Sequence, residues 1–400
     1  MGRFARIIAA CCVWLWLGAQ AADKPPVLIG LDAEFGVADS LSGQAVEQGL
    51  RIAMAQINAA GGVLGGRPLQ LEVRDHAGLP ARGIRNLREF ANLPDLVAVF
   101  GARFSPVIIE EMPVIKETQT LFMATWSSAD PIVENGMEPN YVFRLSLFDK
   151  IIMARMMQEA ADLRAYRVGL LLSNTGWGRS AQAAAESWAA AHPEVKIVHA
   201  TWANRRDTTM APQYRALLDA GAQVVVAVIN DDLGAILIRE LAALPRDQRR
   251  TVLSHWGVTG GDFAKQAGPA LNKVDFRIIQ SFSFFRAKSD VARGFFATAR
   301  TLYGWNAPDD IAAPVGVAHA FDLMHILARA IDLAGSTDRA QVRDALERVR
   351  DYHGLVKFYE RPFAPRRHEA LDASDILMTR IRDDGVIVPL EDRRQAGRQK

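Results

Sequence analysis

Two periods of apolar residues alternate along most of the chain: short runs rich in Val, Ile and Leu, and longer stretches where apolar residues recur every three or four positions. The first pattern marks a strand and the second an amphipathic helix. Val27 to Leu31 predicts an opening strand. Val46, Leu50, Ala53, Met54 and Ile57 then share one face of a helix from about Gln44 to Ala59, which Gly61-Gly62 stops. Leu69, Leu71 and Val73 alternate with Gln70, Glu72 and Arg74, as a half-exposed strand would. Leu96 to Phe100 and Leu121 to Thr125 read as two buried strands.

A second series starts after Arg144, with strands expected at Val168 to Leu172, Ile197 to Thr201, Val224 to Ile229 and Thr251 to Ser254. Alanine-rich helices around Ala181 to Ala191 and Tyr214 to Ala220 separate them. The chain is then expected to return to the first series through a strand at Phe276 to Ser281 and a long helix from Pro314 to Leu333. Short strands follow at Leu355 to Tyr359 and Ile376 to Val388, the latter with a hairpin-like Asp383-Asp384-Gly385 turn. Strand and helix in this alternation predict an α/β protein of two Rossmann-like lobes with mainly parallel sheets. Ligands of open parallel sheets sit beyond the carboxyl ends of the strands, which directs attention to the loops there.

Composition supports two cores and narrows the setting. A chain of 400 residues with 50% hydrophobic content buries two domains without difficulty. At the start, Arg3 and Arg6 precede an apolar run from Ile7 to Leu17, shorter than the ~18 residues of a membrane span, and Ala19-Gln20-Ala21 supplies a small-x-small cleavage site. Residues 1–21 are therefore expected to be a signal peptide and the mature protein to be periplasmic, with no direct membrane insertion after cleavage. Ile8-Ala9-Ala10-Cys11 offers a lipobox-like alternative, although most of the apolar run follows the cysteine. Both cysteines, Cys11 and Cys12, fall in this segment, so no disulfide framework is expected. Loss of Arg3 and Arg6 brings the formal charge from +2 to near zero, which excludes nucleic acid as an expected partner. Residues 391–400 read as a polar, basic tail.

Four strand-end loops gather the residues able to hold a ligand: Asp32 to Gly36, Gly101 to Ser105, Thr125 to Asp130 and Ser173 to Gly178. Ser105, Ser127 and Ser128 could present hydroxyls and free backbone N–H groups to a carboxylate, or simply cap the helices that follow. Trp126, Trp177 and Trp256 stand directly after expected strands, where large aromatic side chains wall a cleft or pack lobe against lobe. Asn230, Asp231 and Asp232 could accept hydrogen bonds from a ligand or cap the helix from Leu233. No G-x-S-x-G, H-E-x-x-H, G-x-x-x-x-G-K-[ST] or G-x-G-x-x-G occurs, and His319 and His325, six apart, do not share a helix face. No metal, no cofactor and no catalytic residue is expected, so binding rather than catalysis is the default.

The run Ile57-Asn58-Ala59-Ala60-Gly61-Gly62-Val63-Leu64-Gly65-Gly66-Arg67-Pro68-Leu69 resembles the segment after the first helix of type I periplasmic binding proteins of the leucine/isoleucine/valine and amide/urea type. Asp75 and the loops at Gly101 to Ser105, Thr125 to Pro131 and Asn174 to Gly178 follow in that family's order, and the similarity extends from Val27 to about Leu390. The resemblance implies two lobes joined by three crossings, near Phe143 to Ser146, Phe276 to Ser281 and Leu355 to Phe358. Residues 27–143 with 281–354 would form one lobe, and 146–276 with 355–390 the other. It also implies a small-molecule ligand enclosed by hinge closure and delivered to an inner-membrane ABC permease, or a solute sensor that signals to a receptor without transport.

Carried over by position, the resemblance implies a ligand carboxylate held by Ser105 and by the loop at Ser127, Ser128 and Ala129, and covered by Trp177. At Ala129 the family's threonine is missing. Trp256 stands where amino-acid binders carry the acid for the ligand's ammonium. An indole face attracts a cation by only ~0.5–2 kcal/mol, so the expectation shifts to a flat, aromatic or otherwise weakly charged ligand such as an organic acid. Glu34 and Asp231 remain possible substitutes for the missing acid, in which case an amine-bearing ligand returns.

Overall fold

The computed structural model describes residues 24–37, 40–382 and 384–390. The expected signal peptide, the polar tail and Asp383 of the expected hairpin turn lie outside the described residues. The first lobe runs β1 (Val27–Ala33), α1 (Ser42–Ala59), β2 (Leu69–Asp75), α2 (Pro80–Ala91), β3 (Leu96–Gly101), α3 (Ser105–Thr118), β4 (Leu121–Ala124) and β5 (Val142–Arg144). Its strands form one parallel sheet in the order β2-β1-β3-β4-β5. β3 has no polar side chain and is buried throughout, as a central strand with helices over both faces must be, while β2 at the edge does not keep the expected alternation: Leu69 is buried, but Val73 is exposed and Glu72 and Arg74 are partly buried.

The second lobe follows as α4 (Asp149–Asp162), β6 (Arg167–Ser173), α5 (Gly176–Ala191), β7 (Lys196–Ala203), α6 (Ala211–Asp219), β8 (Val224–Val228), α7 (Asp231–Ala243), β9 (Thr251–Ser254), α8 (Phe263–Ala267) and β10 (Phe276–Gln280). The chain then returns to the first lobe with α9 (Asp290–Tyr303), α10 (Pro314–Ala334) and α11 (Arg339–Leu346). β11 (Tyr352–His353) and β12 (Phe358–Tyr359) make a small hairpin, and β13 (Leu377–Ile381) and β14 (Ile387–Pro389) end the described chain. The second sheet has the order β14-β13-β10-β9-β8-β6-β7, parallel except for β13 and β14. α10 is almost wholly buried and packs on α1 so closely that a Cβ on Gly49 would lie 2.2 Å from the Val317 carbonyl oxygen.

Two expectations about the path of the chain change. β10 pairs with β9 and β13, so it completes the second sheet and the crossing begins only after Gln280. Leu355 to Phe358 do not cross between lobes: they lie in the β11–β12 hairpin, which one carboxylate ties to the first lobe. Asp322, fully buried in α10, accepts from Leu355 N (2.6 Å), Val356 N (2.8 Å), Tyr359 Oη (3.0 Å) and Tyr352 Oη (3.3 Å). The chain reaches the second sheet again only after Leu371.

Burial pushes the Asp322 carboxyl up to about 7, against the pull of four donors. Replacing it by asparagine sets an N–H₂ against groups that themselves donate. Asp322→Asn should therefore lower stability by roughly 3 kcal/mol, read as an earlier urea midpoint. An unchanged midpoint would remove Asp322 as the anchor of the hairpin.

Candidate functional site

The carboxyl ends of β3 and β4 face those of β6, β8 and β9 across a cavity of about 460 Å³, within the ~300–1,000 Å³ of small-molecule sites. The lobes touch around it. Leu41 N donates to Gly260 O at 2.8 Å and Ser40 pairs with Gly261 as a single antiparallel bridge, joining the start of α1 to the Trp256–Gly260 turn. Asp130 N donates to Ser180 Oγ at 2.9 Å. Arg103, in the loop after β3, donates through Nη1 to Asp231 Oδ1 at 2.7 Å and to Gly257 O at 2.6 Å. All these contacts join one lobe to the other.

Of the expected site residues, Trp126, Ser128, Trp177, Asp231 and Trp256 line this one cavity. Trp126 follows β4 and is fully buried, its six-membered ring set against α10 where a Cβ on Gly316 would lie 2.5 Å away. Trp177 stands in the first turn of α5, edge-on to His255 with centroids 4.9 Å apart, and its tip reaches Gly257. Trp256 opens the turn after β9 and meets His319 of α10 edge-on at 5.8 Å. His319 donates through Nδ1 to Thr125 O and accepts at Nε2 from Ser281 Oγ, each at 2.7 Å. Burial pulls that imidazole down to about 4, so it is neutral and joins the β4 loop to the crossing after Gln280.

The other expected residues stand behind the wall or away from it. Ser105 Oγ accepts from Ser128 N (3.2 Å) and Ala129 N (3.4 Å), so it braces the neighbouring loop rather than capping α3. The carbonyls of Ser127 and Ala129 accept from Arg144 Nη1 at 3.2 and 2.8 Å. Ser128 Oγ lies 3.3 Å from His255 Nε2, which also lies 3.3 Å from Asp149 Oδ1. Glu34 does not line the cavity: it turns into the first lobe, where Ser42 Oγ donates to it and His76 Nε2 stands 3.6 Å away. Asp231 lines the cavity, but Arg103 neutralises it; Asp232 beside it is exposed and accepts from Leu233 N.

Sequence reasoning missed Arg103, Phe104 and Arg205. Both guanidinium groups approach the Phe104 ring, at 5.2 and 5.9 Å from its centroid, Arg103 from its own lobe and Arg205 from the loop after β7. The available signal was an arginine beside an aromatic residue at a strand end, in a loop already singled out.

A mainly parallel two-lobed fold with three crossings and a cavity at the strand ends is the architecture of a two-lobed binding protein. The chain belongs to the periplasmic binding protein family, whose model matches residues 27–385, and it has the type I fold. A type 1 periplasmic binding protein from Bordetella pertussis Tohama I superposes with a TM-score of 0.80 at 21% identity, covering 91% of this chain and 100% of that one. The branched-chain amino acid transporter substrate-binding protein of Streptococcus pneumoniae, in complex with isoleucine, gives 0.74 at 17%, covering 91% and 100%. An ABC transporter solute-binding protein of R. palustris, in complex with benzoate, gives 0.73 at 15%, covering 91% and 95%. No curated protein matches the sequence.

Asp130, in the Thr125 to Asp130 loop, carries a titration that can be checked. Burial and the neighbouring Asp149 push its carboxyl up to about 7, against the pull of the Lys150 N–H and Arg144. A carboxyl raised in the folded state binds its proton more tightly there than when unfolded. Its contribution is thus complete below about 4 and is lost as pH rises through 7. Asp130→Asn escapes that loss, so its Tm relative to wild type should climb between pH 4 and pH 8. A constant difference across that range would contradict the assignment.

Proposed function

We propose that this protein captures a small planar organic acid in the cleft between its lobes and delivers it, by hinge closure, to an ABC permease of the inner membrane. The observation that carries the reading is the aromatic lining of one cavity by Trp126, Trp177, Trp256 and Phe104, of which Phe104 and Trp177 keep surface toward it while Trp126 and Trp256 are buried behind them. Flat rings pack against indoles with centroids ~4.5–7 Å apart and gain ~0.5–1.5 kcal/mol per pair beyond area burial. A branched aliphatic chain gains no such term. The same lining argues against a free amino acid. Its buried carboxylate, Asp231, already faces a guanidinium at 2.7 Å, and a ligand ammonium would have to compete with it. Benzoate in the R. palustris protein is an example of such a ligand on this fold.

Three indoles in the lining make tryptophan emission the natural readout. Titration with benzoate, 4-hydroxybenzoate, cinnamate and 3-phenylpropionate should shift the emission and raise Tm for at least one of them, because a ligand at 100 times its Kd adds ~2.7 kcal/mol. Leucine, isoleucine and valine should do neither. Saturable binding of a branched-chain amino acid with no response to the aromatic acids would overturn the reading.

A further inference from the structure

The cavity lining is asymmetric in its hydrogen-bonding groups. Among the described residues, three buried side-chain polar atoms of the lining have no partner in the chain: Arg103 Nε, Trp126 Nε1 and Trp177 Nε1. All three are donors, and a buried donor left without an acceptor is costly. The ligand that satisfies them brings acceptors.

Arg103 is the strongest of the three, and it is held rather than free. Its Nη1 is used twice, by Asp231 Oδ1 and by Gly257 O. The Phe104 ring lies on one side, and Gly260 approaches so closely that a Cβ there would stand 2.4 Å from Nη1 and 2.6 Å from Cδ. A side chain at position 260 would have to displace the guanidinium. With Nη1 pinned across the cleft, the Nε and Nη2 edge of the guanidinium remains, and that edge is the fork that matches the two oxygens of a carboxylate. The loop expected to hold the carboxylate has its Ser128 and Ala129 N–H groups turned to Ser105 Oγ instead.

We propose that Arg103 is the specificity-determining residue of the cleft: its Nε and Nη2 edge holds the ligand carboxylate through two parallel hydrogen bonds, while Asp231 and Gly257 fix the guanidinium from the opposite lobe. This rests on the reading of the cleft as an organic-acid site and adds the atom pair that reads the acid. It makes recognition depend on closure, because the groups that aim Arg103 belong to the second lobe. It also makes the cleft select a carboxylate over the amide of the same shape, since an amide has one acceptor oxygen and sets an N–H₂ against the second donor.

The test is calorimetric titration of the full-length protein with matched pairs: benzoate and benzamide, 4-hydroxybenzoate and 4-hydroxybenzamide, cinnamate and cinnamamide. Wild type should prefer the acid in each pair it binds by about 10- to 100-fold. Arg103→Gln should abolish that preference, the acids losing more affinity than the amides, while an unchanged far-UV circular dichroism spectrum reports an intact fold. Arg103→Lys keeps the charge without the fork and should retain only part of the preference. Equal binding of acid and amide by wild type, or a full preference in Arg103→Lys, overturns the proposal and leaves the aromatic cleft standing. Equal loss of both members in Arg103→Gln overturns it as well, marking a role in closure alone. If no acid and no amide binds wild type, the organic-acid reading falls, and the proposal with it.

Discussion

The Arg144 guanidinium sits at the junction of everything the cleft needs. It ends β5 at the first crossing and is fully buried, yet nearly every donor is used. Nε and Nη2 form a two-pronged pair with Glu369 at 2.8 and 2.5 Å, and Nη1 holds the carbonyls of Ser127 and Ala129. Its backbone exchanges bonds with the same segment, Arg144 N to His368 O and Ala370 N to Arg144 O. A buried ion pair is weak evidence of net stability, because desolvation consumes most of the Coulomb gain, but removing one partner strands the other at a cost of ~3–5 kcal/mol. What this pair supplies is position. It aligns the first crossing with the return segment after the hairpin, and it fixes the loop that carries Trp126 and Ser128.

The cleft follows from that frame. The Trp126 loop is held from behind by Arg144 and Ser105, and its ring is set against the glycine of α10, so one wall is tied to the first lobe. The opposite wall, Trp177 and Trp256, is carried by the second lobe and linked through His255. Across the cleft the two walls are joined by the pair of Arg103 with Asp231. On the proposed reading, a planar acid would meet the aromatic lining, the unpaired donors and the held guanidinium in one cavity. On that reading none of these groups alone sets the preference; it comes from their placement together.

Much of this was legible in the residues. The buried strands are continuous apolar runs, and β3 and β8 were read to within a residue or two because a strand covered on both faces has no polar alternation to mislead. Trp126, Trp177 and Trp256 stood out because large aromatic residues directly after strands have few other uses. What escaped depends on partners distant in sequence. Arg103 reads by default as a solvated cation, and Asp231, the carboxylate that pins it, lies 128 residues away. Glu34 looked free in its loop, but Ser42 and His76 draw it inward. The family resemblance implies a crossing at Leu355 to Phe358, but those residues lie in the Tyr352 to Tyr359 hairpin. Its place is set by Asp322, whose four donors no local pattern predicts.

Mass spectrometry of the small molecule released on denaturing freshly purified protein tests the central claim most directly. The account predicts a planar carboxylic acid without a primary amine, bound one to one. Release of leucine, valine or another free α-amino acid would contradict it.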